Sequence, residues 1–103
     1  MIDKDRILNF IQLILLSSNI QRKIILKNIT KKQCATLRAI IYNVMFNKDI
    51  VLKPQDKTYL TRHISDIKYL ASKKICLSEK KDIIYKKYLL IKRVIQIANR
   101  YLT

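Results

Sequence analysis

The chain has 103 residues with 22 Lys and Arg against 7 Asp and Glu, a net charge of +15, and half of its residues are hydrophobic. That hydrophobic share excludes a disordered basic tail, and the length suits one domain over residues 1–103. The absence of Gly excludes glycine-rich phosphate loops of the Walker or Rossmann kind.

With no Gly and one Pro, the chain reads as helices joined by tight turns marked by Asn or Ser. Asp3 is positioned to cap a first helix ending near Leu16, with Asp5, Asn9 and Gln12 forming a narrow polar stripe on an otherwise apolar surface. The run from Ile7 to Leu16 is too short to span a bilayer. Asp3 and Asp5 ahead of it, and no small-residue cleavage site behind it, argue against a signal peptide. An intracellular protein is expected, with Cys34 and Cys76 as reduced thiols and Cys34 in the core.

The "SSN" at 17–19 ends this helix and caps the next. The expected second helix turns Ile20, Ile24 and Ile25 inward and Arg22, Lys23 and Lys27 outward. "TKKQ" at 30–33 is a capping box, in which Thr30 and Gln33 satisfy each other's amides. Cys34, Leu37, Ile41, Val44 and Met45 follow at helical spacing, and Asn47 is a candidate left-handed stop.

Two similar stretches come next, "KDIVLKPQDKTYLTRH" and "KKICLSEKKDIIYKKY". Each reads as an extended Ile-x-Leu followed by an amphipathic helix. Ile50, Leu52, Ile75 and Leu77 are expected to be buried with the two segments side by side, since residues two apart share a face of a strand. Pro54 suits the first turn of the fourth helix, whose inner face carries Leu60, Ile64, Ile67 and Ala71. Ser78 is the expected N-cap of the fifth, which turns Ile84, Tyr88, Ile91, Ile95, Ala98 and Leu102 inward. The fold class expected is a compact all-α bundle of four to five helices, with two short extended segments preceding the last two.

No catalytic constellation emerges. His63 and Ser65 are two apart on a helix and point away from each other, and one His with two distant Cys cannot supply a zinc site. No enzyme, metal or cofactor is expected. The cations are more informative, because residues 72–103 hold nine Lys or Arg against two acids, Glu79 and Asp82. Lys86, Arg93 and Arg100 recur every seven residues and so keep to one stripe of the fifth helix, flanked by Lys80, Lys81, Lys87 and Lys92. These seven are the candidate nucleic-acid contacts, facing outward and unopposed by acids. A Lys-dominated face suits phosphates better than base edges, although Gln96 and Asn99 lie beside the arginines. Tyr42 and Tyr88 fall on apolar faces and are expected in the core. The apolar faces are needed for that core, which disfavours membrane-surface binding.

The stretches "QRK" at 21–23, "VLKPQDK" at 51–57 and "LASKKICLSEKK" at 70–81 resemble short basic helical proteins of Maverick/Polinton-type, adintovirus-like elements of animal genomes. The similarity spans residues 13 to about 90. Members usually have Ser or Thr before the Pro, where this chain has Lys53, and often end in a Gly-rich tail where this chain continues helically to Leu102. The resemblance implies a virus or mobile-element protein, DNA-associated or a virion component, in the host nucleus or the virion. Charge and resemblance together suggest a non-enzymatic packaging or architectural protein that binds nucleic acid, DNA before RNA. The alternative is a small helical protein–protein module, a virion or host-interacting component whose charge only maintains solubility.

Overall fold

The computed structural model describes residues 4–47, 50–72 and 77–102. Among them the chain is all helical, with seven helices and no strand. These are α1 (Lys4–Leu16), α2 (Asn19–Lys27), α3 (Lys31–Phe46), α4 (Pro54–Arg62), α5 (Ile64–Ala71), α6 (Leu77–Lys86) and α7 (Tyr88–Leu102). Asp3, the expected cap of the first helix, lies outside the described residues.

Local chemistry explains most of the boundaries. Ser18 and Gln21 close a capping box on α2, and Thr30 and Gln33 close another on α3. In each, the hydroxyl accepts from the N3 amide while the glutamine oxygen accepts from the cap amide. Thr30→Ala is expected to cost about 1 kcal/mol, read as a fall of about 4–8 °C in the thermal midpoint of a domain this size. Pro54 opens α4 at its first turn, where its missing N–H has no intrahelical partner to lose. Asn47 ends α3 in an extended conformation rather than a left-handed one, with φ −76° and ψ 118°.

The core is one cluster. α7 packs against α1 and α3, α3 against α5, and α2 against α6. Phe10, Ile11 and Ile14 of α1 meet Leu37, Ile40, Ile41 and Val44 of α3 and a wide face of α7 that runs from Leu90 to Ala98. The radius of gyration, 12.6 Å, matches the roughly 13 Å of a compact chain of 100 residues.

Several expectations change. The expected fourth helix breaks at His63 into α4 and α5, and the expected fifth breaks at Lys87 into α6 and α7. The first break lets α5 pack on α3 while α4 carries Asp56 to α7. The second lets α6 cover α2 and α5 while α7 fills the centre.

Helix α2 is rotated from its expected orientation. Arg22 is only 3% exposed, whereas Ile20 and Ile24 are 74% and 57% exposed. Arg22 donates from Nε to the Ile14 carbonyl at 3.0 Å and from Nη2 to the Ser17 carbonyl at 2.8 Å. A third bond runs from Nη1 to Asn19 Oδ1 at 2.7 Å. The last carbonyls of α1 lack intrahelical donors, and this guanidinium supplies them. With Arg22 inward, Leu26 and Ile29 follow it into the core.

The paired-segment expectation also changes. Ile50 and Leu52 are half-buried and Val51 is exposed, without strand pairing. The Val51 carbonyl accepts instead from the Tyr101 hydroxyl of α7. Leu77 is half-buried within α6, Ser78 lies inside that helix rather than ahead of it, and Ile75 and Cys76 fall outside the described residues. Tyr42, finally, is 61% exposed, whereas Tyr88 is half-buried against the core.

Candidate nucleic-acid interface

The outward face of α7 carries Leu89, Lys92, Arg93, Gln96, Asn99 and Arg100. One edge of this face lies over α4. There Asp56, in the first turn of α4 and 3% exposed, receives both arginines. Arg93 sends Nε and Nη2 to Oδ1 at 3.1 and 3.0 Å. Arg100 sends Nη2 to Oδ2 at 2.7 Å. The Arg93 guanidinium also lies over the Tyr59 ring, 5.1 Å from its centroid, and the Tyr59 ring meets His63 tilted, with centroids 4.7 Å apart.

Burial pushes the Asp56 carboxyl up, but the hydrogen bonds and charges of Arg100 and then Arg93 outweigh it and hold it below its ordinary value. It is therefore a carboxylate throughout the neutral range. Asp56 thus fixes two guanidinium groups, each more than a third exposed. Each retains N–H groups without a partner among the described residues. Lys53, Gln55 and Gln96 join them around an open cleft of about 780 Å³. With three cations and one anion at its walls, the cleft suits a phosphate-bearing ligand, for which a fixed arginine fork is the usual recognition group.

The other expected contacts are placed differently. Lys80 is not at the surface. It is 2% exposed, and its Nζ donates to the Leu70 carbonyl at 3.0 Å and the Ser72 carbonyl at 2.6 Å. A cation at these carbonyls caps the end of α5, where the helix dipole is negative. Burial lowers the Lys80 pKa from its ordinary 10.5; the nearby Cys34 opposes this and Arg38 adds to it. Cys34 is itself buried, and burial holds its thiol above the ordinary value against the pull of Lys80 and Arg38.

Nor is the stripe of Lys86, Arg93 and Arg100 unopposed. Lys86 sits on α6, not α7, and pairs with Asp82 at 3.0 Å. Lys87, at the junction of the two helices, faces Asp66 of α5 at 3.6 Å. Lys81 is exposed and Lys92 half-exposed, and neither forms an ion pair with a described residue. The structure brings Arg93 and Arg100 together; no contact among the described residues ties the other five to that pair.

Helical periodicity does not single out Asp56, which organises this pair from another helix. One signal was available. Only six of the 22 cations are arginines, and at positions 22, 93 and 100 the planar fork meets two or more acceptors or a shared carboxylate, geometry that an ammonium does not reproduce.

Among the described residues no three His, Cys, Asp or Glu are grouped to hold a metal ion, and no helix is long and apolar enough to cross a membrane. No family model, curated protein or solved structure matches the chain.

Proposed function

We propose that this is a non-enzymatic nucleic-acid-binding protein that neutralises phosphates through Lys81, Lys86, Lys87 and Lys92 and through the arginine cleft on α7. One observation carries the reading. The net charge is +15, and Asp56, Asp66 and Asp82 are already matched by cations of α6, α7 and the junction between them. Little negative charge is left to offset the remaining lysines, and a field of that sign draws a polyanion. A packaging or architectural role for DNA, in a virus or mobile element, rests on the sequence resemblance.

An electrophoretic shift of duplex DNA at two salt concentrations tests it. Affinity should fall steeply with salt, and Lys81→Gln with Lys92→Gln should flatten the slope by roughly 0.9 per lost contact. These two are the right probes because they form no ion pair with a described residue; replacing Arg93 and Arg100 would also strip Asp56 of its partners. Salt-independent binding, or none, would leave the second reading, a protein–protein module. Leu16, Ile20 and Ile24 favour that module, standing more than half exposed on α1 and α2.

A further inference from the structure

Helices α3 and α5 enclose a groove that the core does not fill. Tyr42 and Phe46, one turn apart on α3, are each 61% exposed. Their rings lie 4.9 Å apart and tilted by 45°. Met45 of α3 and Ile64 and Ala71 of α5 complete apolar walls, and among the described residues Lys68 is the one charged residue lining the groove. The volume is about 290 Å³, at the lower bound of small-molecule pockets, and it suits one or two large side chains.

Three occupants can be weighed. A second copy would bring another +15 and oppose Lys68 with its own kind, so like charge disfavours it. A nucleobase could stack on Tyr42 or Phe46, but its polar edges would meet Ile64, Ile67 and Ala71 and lose their hydrogen bonds to water. An amphipathic helix meets neither objection. Its apolar stripe fits a groove between two helices, and acidic flanks complement Lys68 and the field of the whole molecule.

We propose that the α3–α5 groove docks an acidic amphipathic helix of a partner protein. Two apolar side chains at i and i+4 sit between the Tyr42–Phe46 pair and Ile64–Ala71, and an Asp or Glu meets Lys68.

The probe is a fluorescein-labelled helical peptide of about four turns, with Leu and Phe anchors at i and i+4 and Glu on the flanks. Its control is a scrambled peptide of identical composition, so that attraction to a strongly cationic protein is common to both. Fluorescence anisotropy with the full chain should show the designed peptide binding about tenfold tighter or more, as expected of a buried aromatic anchor site. Phe46→Ala, at an exposed position, should abolish that preference while leaving the circular dichroism unchanged. Lys68→Glu should transfer the preference to the analogue with Lys flanks.

Equal binding of designed and scrambled peptides, or a preference that survives Phe46→Ala, would overturn the proposal. So would a Phe46→Ala variant that loses affinity for oligo(dT) or converts a dimer to a monomer, since these assign the groove to a base or to a second copy. None of these readouts depends on duplex DNA binding.

Discussion

Asp56→Asn is expected to lower stability by about 2–3 kcal/mol, within the range of hydrogen bonds to charged groups, and to tighten DNA binding at low salt. The carboxylate is buried and accepts from two guanidinium groups. Loss of its charge weakens both bonds and leaves Arg93 and Arg100 repelling each other. Water reaches both arginines, so the effect falls short of the roughly 3–5 kcal/mol of breaking a fully buried ion pair.

The sign of the pH dependence follows from the lowered carboxyl pKa. The stabilisation is complete above the ordinary value of 3.8 and is lost as pH falls through the lower folded-state value. Denaturant titrations of the parent should therefore show an acid-range slope that Asp56→Asn reduces. In the proposed function, the same change removes the only negative charge among the described residues of the cleft, so affinity rises while stability falls. A merely misfolded variant would lose both. Unchanged stability would show that the arginines do not depend on Asp56.

Lys80 carries the second large effect. Lys80→Met should cost about 1–3 kcal/mol, because the buried Leu70 carbonyl loses this donor, while the half-buried Ser72 carbonyl loses it at a smaller penalty. Two effects oppose here. Burial of the ammonium is unfavourable, as its lowered pKa shows, and methionine relieves that penalty. The Leu70 carbonyl remains in place without this donor, however, and that cost is the larger. Lys80→Glu sets a carboxylate against two carbonyl oxygens at the negative end of α5 and should abolish folding.

For Lys80 itself, folding favours the neutral amine, so its contribution to stability rises with pH from the folded-state value up to 10.5. Urea midpoints at pH 7 and pH 10 test both statements. A Lys80→Met midpoint equal to the parent's would remove the cap from the account of α5.

The legible part of this protein was local. The cap within 17–19, the capping box at Thr30, the start of α4 at Pro54, and the apolar positions of α1, α3 and α7 depend on residues within four or five positions of one another. Propensity, capping and periodicity act at that range, and reading them yields an all-α chain with a strongly cationic surface.

The placement of the cations was not local. Arg93 and Arg100 reach an aspartate 37 and 44 residues away, and Lys80 caps a helix that ends before it on another element. Arg22, eight residues from the Ile14 carbonyl, rotates α2 and puts Ile20 and Ile24 in solvent. A lysine or arginine looks the same in a helical pattern whether it faces water or ends at a carbonyl or carboxylate. Only the packing of α1, α4 and α5 against their neighbours brings those acceptors within 3 Å or so, where the hydrogen bonds offset the cost of burying a charge. The breaks at His63 and Lys87 have the same origin, because an unbroken helix would satisfy its own backbone equally well but could not cover two faces of one core.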